Sequence, residues 1–232
     1  MPFHAHILTL FPDMFPGALG HSLAGKALEK GLWQLSTYDI RDYALDKHRT
    51  VDDTPYGGGA GMVLKPDVVA AALDSAIPAL PANAHRVYLS PRGERFSQSL
   101  AESWAKTDGI LLLCGRYEGV DQRVLDAYEI REVSLGDYIL AGGELAAMVV
   151  CEAVTRLLPG VVGQPETHAE ESFSAGLLEY PHYTKPPEWN NRLVPDVLRG
   201  GNHAAIAAWR LREAQELTKR RRPDLWEKYS AN

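Results

Sequence analysis

The first segment whose residue types could do chemistry is 55–62, which reads Pro-Tyr-Gly-Gly-Gly-Ala-Gly-Met. Glycines at this density let the backbone take positive φ values and approach a ligand or phosphate closely. The spacing argues against two common nucleotide sites. Met62 stands where a dinucleotide fingerprint requires its third glycine, and no Lys-Ser/Thr pair completes a triphosphate loop. Taken alone, the segment fits a structural hinge as well as a binding loop.

Three further glycine-bearing loops, 90–93, 115–121 and 134–144, each follow an apolar segment. In a parallel α/β sheet, loops of this kind meet in the crevice at the carboxyl ends of the strands. Together they would offer many backbone donors and acceptors but few charges, which suits an uncharged heterocycle better than a polyphosphate. For any single loop, an ordinary strand-to-helix turn is the more favoured interpretation.

The elements that must position these loops follow from hydrophobic periodicity, which predicts an α/β fold with a mostly parallel sheet. The predicted strands are 6–10, 33–39, 86–89, 109–114 and 130–133, and the predicted helices are 22–30, 66–75, 97–106, 143–158 and 203–217. Residues 110–113 are uninterrupted Ile-Leu-Leu-Leu, which favours a strand covered on both faces. Residues 160–176 are polar and acidic without periodicity, and this composition predicts a linker or mobile loop.

The charge is distributed unevenly along the chain. The whole chain carries a formal charge of -6, but residues 199–232 hold eight basic and four acidic side chains, a net charge of +4 that leaves -10 on the remainder. A basic tail on an acidic body is typical of a module that binds a polyanion. A run such as 219–222 is also typical of a solvated helix end, and on the tail alone that interpretation is favoured.

Composition also excludes several classes of protein. No apolar run reaches the ~18 to 20 residues of a membrane-spanning helix, and the first residues lack the basic start and apolar stretch of a signal peptide. We therefore expect a cytoplasmic protein. Cys114 and Cys151 lie in apolar stretches, which predicts two buried thiols rather than a metal site built from cysteines.

The glycine-bearing loops belong to a longer series of motifs that spans nearly the whole chain. Their order resembles that of the bacterial tRNA (guanine-N1) methyltransferase family of the SPOUT superfamily, which modifies guanine 37, the nucleotide 3′ to the anticodon. Joint occurrence in this order is highly specific and favours a functional interpretation of each loop. The matching segments are 8–12 (Leu-Thr-Leu-Phe-Pro), 55–62, 89–93, 114–121, 134–144, 156–160, 171–173 and 181–184.

The resemblance implies an architecture and a cofactor. It implies an α/β catalytic domain with a trefoil knot over residues 1–160, a flexible interdomain linker over 161–176, a small all-α tRNA-binding domain over 177–232, and a homodimer. In that fold the three loops hold S-adenosyl-L-methionine in a bent shape. The matching cofactor-binding positions are Tyr88, Leu89, Ser90, Pro91, Gly115, Tyr117, Glu118, Ser134, Leu135, Gly136, Asp137, Tyr138, Ile139, Leu140, Gly142 and Gly143.

The difficult step of such a methyl transfer lies at the nucleophile, because guanine N1 carries a proton at neutral pH. A general base must remove that proton while a cation or donor stabilises the charge that develops on O6. The resemblance assigns Glu171 as the base and Arg156 as the stabilising cation. Many family members have Asp where Glu171 stands, and the adjacent Glu170 is an alternative base. Without the resemblance, Arg156 as a helix-end charge and Glu171 as a solvated linker charge are the favoured interpretations.

The resemblance also gives the basic tail a role in gripping tRNA phosphates. Family members require a divalent ion such as Mg²⁺, but no clustered ligands place a metal site here. Three other hypotheses stay open: another SPOUT RNA methyltransferase with a different RNA target, a non-catalytic RNA-binding protein, and a nucleotide-dependent oxidoreductase or phosphotransferase. The predicted RNA-binding residues are Arg199, Arg210, Arg212, Lys219, Arg220, Arg221 and Arg222.

Overall fold

The computed structural model describes residues 1–162 and 171–231. The chain divides into two compact units, Met1–Gly163 and Gln164–Asn232. This division falls within the predicted linker 161–176, of which residues 163–170 lie outside the described residues.

The first unit is built on a five-stranded sheet. Its strands are β1 (Phe3–Thr9), β2 (Trp33–Asp39), β5 (His85–Arg95), β6 (Gly109–Leu113) and β7 (Arg131–Ser134), and a separate antiparallel pair is formed by β3 (Asp52–Asp53) and β4 (Val63–Leu64). The strand order is β2-β1-β6-β5-β7 and all pairings in this sheet are parallel. The predicted α/β class and its five main strands are confirmed.

The helices of this unit begin where the sequence places suitable residues. The helices are α1 (Ser22–Glu29), α2 (Pro66–Ala76), α3 (Gln98–Trp104), α4 (Gln122–Ala127) and α5 (Glu144–Thr155). Ser97 caps α3, since its Oγ accepts a hydrogen bond from Leu100 N at 3.3 Å. The short helix α4 is not predicted by periodicity, and it forms behind Asp121, whose Oδ1 accepts from Arg123 N at 3.0 Å.

The sheet carries an apolar core on each face. Every residue of β6 is buried, as the run of aliphatic residues predicts. Ile110 and Leu112 contribute to a core with α1, α3 and α5, whereas Leu111 and Leu113 contribute to a core with α2 and α4. Cys114 and Cys151 are both free and buried, which confirms the predicted thiols.

The second unit is mainly helical, with α6 (Asp196–Arg199), α7 (His203–Arg221) and α8 (Pro223–Ser230). It also contains a hairpin that the all-α expectation did not include, formed by β8 (Glu188–Trp189) and β9 (Arg192–Leu193). Asn190 and Asn191 both have positive φ, the geometry of a two-residue hairpin turn. Thr218 Oγ1, buried on α7, accepts from Leu178 N at 2.8 Å and so ties the preceding segment to that helix.

Candidate functional site

A cavity of about 410 Å³ lies at the carboxyl ends of β5, β6 and β7. A loop inserted in β5 and the loops that follow β6 and β7 line it, because neighbouring parallel strands bring such loops to one edge of the sheet. All the predicted cofactor positions line the cavity except Asp137, which is exposed. The lining residues beyond that prediction are Val63, Arg92, Arg116, Gly119, Val120, Gln122, Val133, Ala141 and Ala146.

The first cavity loop is an irregularity within β5. Val133 of β7 is paired with Leu89 and again with Glu94, so the residues between them are pushed out of the ladder. Ser90 Oγ accepts from Arg92 N at 3.2 Å and closes the turn. The strand therefore continues beyond the predicted segment 86–89, with a binding loop inserted in it.

The other two loops are held together by backbone contacts. Gly143 N donates to Gly115 O at 3.0 Å, and Arg116 forms an isolated antiparallel bridge with Gly142. A Cβ on Gly143 would lie 2.8 Å from Cys114 Cα, so only glycine permits this approach. The third loop also turns back on itself at Ser134, whose Oγ accepts from Gly136 N at 3.2 Å.

The two arginines beside the cavity each have a carboxylate partner. Arg92 Nη2 lies 3.1 Å from Glu132 Oε2, and Arg116 Nη2 lies 2.9 Å from the buried Glu144 Oε2. Burial raises the pKa of the Cys114 thiol well above its ordinary value, so this residue is a neutral thiol and not a nucleophile. The arrangement suits the binding of a ligand through backbone groups and apolar contacts.

The glycine-rich segment 55–62 abuts the second cavity loop. Glu118 N donates to Met62 O at 2.9 Å, and Leu64 N donates to Gly119 O at 2.9 Å. A Cβ on Gly61 would lie 2.4 Å from Glu118 Cγ, so the segment packs directly against a cavity residue. This position beside the cavity mouth favours a binding loop over a remote hinge.

The two predicted reacting groups belong to different units. Arg156 follows the last residue of α5 in the first unit and is partly buried. Glu171 belongs to the second unit and is also partly buried, with its carbonyl accepting from Ser174 Oγ at 2.7 Å. The alternative base, Glu170, lies outside the described residues.

The predicted RNA-binding residues fall into two groups in the second unit. Arg212, Lys219, Arg220 and Arg221 are exposed on α7, the last three in its final turn, where cations are favoured by the helix dipole. The others have close partners in the unit: Arg199 pairs with Asp196, Arg222 with Asp224, and the Arg210 guanidinium lies 4.8 Å from the Tyr180 ring centroid.

Sequence comparison settles which family has this arrangement. Residues 3–228 match the family model described as tRNA (Guanine-1)-methyltransferase TrmD. The chain belongs to the tRNA (guanine-1)-methyltransferase family. Proteins named tRNA (guanine-N(1)-)-methyltransferase are similar along their whole length. The relative from Cereibacter sphaeroides is 58% identical, over 99% of this chain and 93% of that protein. The relative from Bartonella bacilliformis is 56% identical, over 100% of this chain and 98% of that protein.

Three charged residues near the cavity of this tRNA (guanine-1)-methyltransferase family member are not among the site residues predicted from the sequence. They are Arg92, Arg116 and Glu144. In the sequence, an arginine next to a glycine after a buried strand and a glutamate after two glycines are weak indications of a functional site. Their contacts are made with residues that are distant in the sequence. Within the described residues, no helix is long and apolar enough to cross a membrane, and no group of three or more His, Cys, Asp or Glu side chains could hold a metal ion.

Proposed function

We propose that this chain transfers the methyl group of S-adenosyl-L-methionine to N1 of guanine 37 of tRNA. The observation that carries the proposal is the three-loop cavity, which brings together nearly all the cofactor positions carried over from the family. The whole-length similarity to proteins named for this guanine-N1 reaction supports the same conclusion.

The cavity fits the methyl donor in size and character. Its volume of about 410 Å³ lies within the range of small-ligand sites, and its lining is mainly glycine, aliphatic and aromatic residues. The donor, when bound, supplies a sulfonium methyl group and leaves as a neutral thioether. The backbone groups of the loops at Leu135–Leu140 would read the adenine, and no residue of the cavity needs to protonate the leaving group.

The general base and the stabilising cation of this chain would act on the target guanine. Glu171 removes the N1 proton, and the Arg156 guanidinium stabilises the charge that develops on O6. Guanine must leave the anticodon-loop stack to reach these groups, and a carboxylate next to the interdomain segment can close over an extruded base.

The exposed cations of α7 would contact tRNA phosphates, with affinity that falls as salt rises. The flipped guanine and its neighbours would supply the sequence specificity. We assign residues 1–160 to the knotted donor-binding domain, 161–176 to the linker and 177–232 to the tRNA-binding domain. We place the reaction in the cytoplasm, with a Mg²⁺ requirement to which no residue is assigned.

A homodimer is supported by exposed apolar side chains on the helices of the first unit. Leu145 and Val149, one turn apart on α5, are each about half exposed, and Leu23 on α1 is similarly exposed. Apolar side chains at this spacing on a helix are typical of an interface between copies. Sedimentation of the full chain should give twice the mass of 25.6 kDa.

The experiment that tests the function is to map the methylated nucleotide. Full chain, donor and unmodified tRNA transcript are incubated, and reverse transcription then reports where N1 methylation blocks base pairing. We expect a stop directed by guanine 37, absent from a transcript in which adenine replaces that guanine. A stop at another nucleotide would assign a different RNA target. The absence of any methylation-dependent stop in either transcript would contradict methyltransferase activity on tRNA.

A further inference from the structure

A buried polar chain connects the end of β1 to two of the cavity loops. Glu144 is the first residue of α5 and is only 1% exposed. Its Oε1 accepts from Thr9 Oγ1 at 2.7 Å, and its Oε2 lies 2.9 Å from Arg116 Nη2. Thr9 Oγ1 in turn accepts from Phe11 N at 2.9 Å. The carboxylate therefore joins β1, the second cavity loop and the start of α5.

Among these connected polar side chains, Arg116 is the one that contacts both loop 115–121 and loop 134–144. Its backbone is bridged to Gly142, and its Nη1 donates to Ala141 O at 3.4 Å. The side chain lies flat on Gly142, where a Cβ would come within 2.2 Å of Arg116 Nε. The Phe11 ring covers the guanidinium from another side, with 4.4 Å between its centroid and Cζ.

The energetics favour a geometric role for this pair. A buried ion pair contributes little net stability, because removing both charges from water costs about as much as their attraction returns. What the contacts of Arg116 do provide is a single conformation for a side chain that otherwise has about 2 kcal/mol of rotamer entropy. Glu144 also begins a helix, where the dipole favours an anion.

We propose that Glu144 is a positioning residue for methyl-donor binding. It does not line the cavity, whereas Arg116 does. By holding Arg116 in one conformation, Glu144 fixes the spacing between loops 115–121 and 134–143, and this spacing sets the affinity for the donor. The inference rests on the proposed function, because that function identifies the ligand of the cavity as S-adenosyl-L-methionine.

The test uses Glu144→Gln, which keeps the size of the side chain and removes its charge. Isothermal titration of the full chain with S-adenosyl-L-methionine should show affinity lower by about 10- to 100-fold, by analogy with residues that orient the ligands of a metal ion. The KM for the donor should rise by a similar factor, while kcat at saturating donor and the KM for tRNA stay near wild type.

A double-mutant cycle separates action through Arg116 from a direct effect. We expect Glu144→Gln to have little further effect on donor affinity once Arg116→Gln is present, because both substitutions break one linkage. Independent, additive losses would overturn the positioning role.

A matched control separates positioning from general destabilisation. Trp33→Phe removes another buried hydrogen bond of the same unit, from Trp33 Nε1 to Ala24 O at 2.9 Å, and should lower Tm without changing donor affinity. If Glu144→Gln fails to fold, Thr9→Val removes the hydroxyl that holds the carboxylate, and Thr9→Ser should restore wild-type affinity. Thr9→Val binding the donor as tightly as wild type would then overturn the proposal.

The same titrations distinguish failure of the proposed function from failure of the positioning role alone. A wild-type chain that does not bind S-adenosyl-L-methionine overturns both the proposed function and the positioning role. Wild-type binding with an unchanged Glu144→Gln affinity, equal to that of the Trp33→Phe control, overturns the positioning role alone.

Discussion

In the first unit, Arg116 beside the cavity is paired with a carboxylate and mostly shielded from water, whereas helix α7 of the second unit displays several cations on exposed side chains. Arg116 has only 21% of its side chain exposed and is 2.9 Å from a buried carboxylate. Arg220 and Arg221, by contrast, project from the last turn of α7. The contrast suits two kinds of ligand. A small donor is bound well by a preorganised cavity, and an RNA backbone is bound by accessible positive charge.

The largest effect should come from the two proposed reacting groups, Glu171 and Arg156. Replacing Glu171 with Gln should lower the single-turnover methylation rate about 10²- to 10⁴-fold, because the base that removes the N1 proton is lost. Arg156→Ala should lower it about 10²- to 10³-fold through loss of O6 stabilisation. Donor affinity, measured by titration, should stay close to wild type in both.

Glu216→Gln, an exposed carboxylate on α7, is the matched control and should keep the wild-type rate. Glu170→Gln tests the alternative base. Near wild-type rates in both Glu171→Gln and Arg156→Ala would refute the catalytic assignment. Loss of rate in Glu170→Gln alone would identify Glu170, and not Glu171, as the general base.

A pH effect should distinguish the stability of the first unit from that of the second. Burial, with a smaller contribution from the nearby His4, lowers the pKa of His6 to about 4, and His6 Nδ1 is 3.0 Å from Tyr38 Oη. Below its ordinary pKa of about 6.5 the unfolded chain binds a proton that the folded unit does not, so the free energy of unfolding decreases as pH falls from 6.5 to 4. The full loss is about 3 kcal/mol for a shift of this size.

Urea unfolding of the first unit between pH 4 and 7 measures this loss, with His48→Asn, an exposed histidine, as the control. His6→Phe should flatten the pH dependence. If that variant does not fold, the His6 ring proton followed by NMR should titrate near pH 4. A midpoint near 6.5 would contradict the predicted penalty for burying the charge.

The close packing of the cavity loops predicts a smaller effect. Gly143→Ala places a Cβ 2.8 Å from Cys114 Cα and should destabilise the first unit by about 1–3 kcal/mol. We expect donor affinity to fall about tenfold, measured by titration, because the loops must separate. Gly200→Ala, with 3.7 Å to its nearest neighbour and φ of -84°, should leave donor affinity unchanged. Equal affinities for both variants would show that the cavity tolerates loop movement.

The smallest effect is expected from the exposed cations. Replacing Arg220 and Arg221 with Ala should lower tRNA affinity several-fold and make the slope of log K against log salt shallower by about 1 to 2, since each lost phosphate contact removes about one unit. Fluorescence anisotropy over a salt series measures both. The control is Lys26→Ala with Lys30→Ala, two exposed lysines of the first unit. An unchanged slope would exclude the end of α7 from the RNA contact.

The sequence predicts the sheet well because buried parallel strands are nearly pure aliphatic segments, as in β6. It predicts the cavity because loops after parallel strands must converge on one edge. The hairpin β8–β9 is missed because its strands have only two residues each, too few to show a period. Helix α4 is missed for a similar reason.

The polar chain beneath the cavity could not be predicted at all. Thr9 and Glu144 are 135 positions apart, and their hydrogen bond exists only because β1 ends where α5 begins. Asp137 is the one predicted cofactor position whose side chain is exposed and does not line the cavity, and its role stays a prediction. Sequence motifs locate loops, and contacts across the fold determine which of their side chains face the ligand.

The most direct test of the division between the units is hydrogen exchange of the full chain with and without S-adenosyl-L-methionine. Binding should slow exchange in segments 88–93, 115–121 and 134–143, where backbone amides surround the cavity. Exchange in 203–230 should not change until tRNA is added. Protection confined to the second unit, or no protection of the three loops at saturating donor, would contradict the assignment of the cavity to the methyl donor.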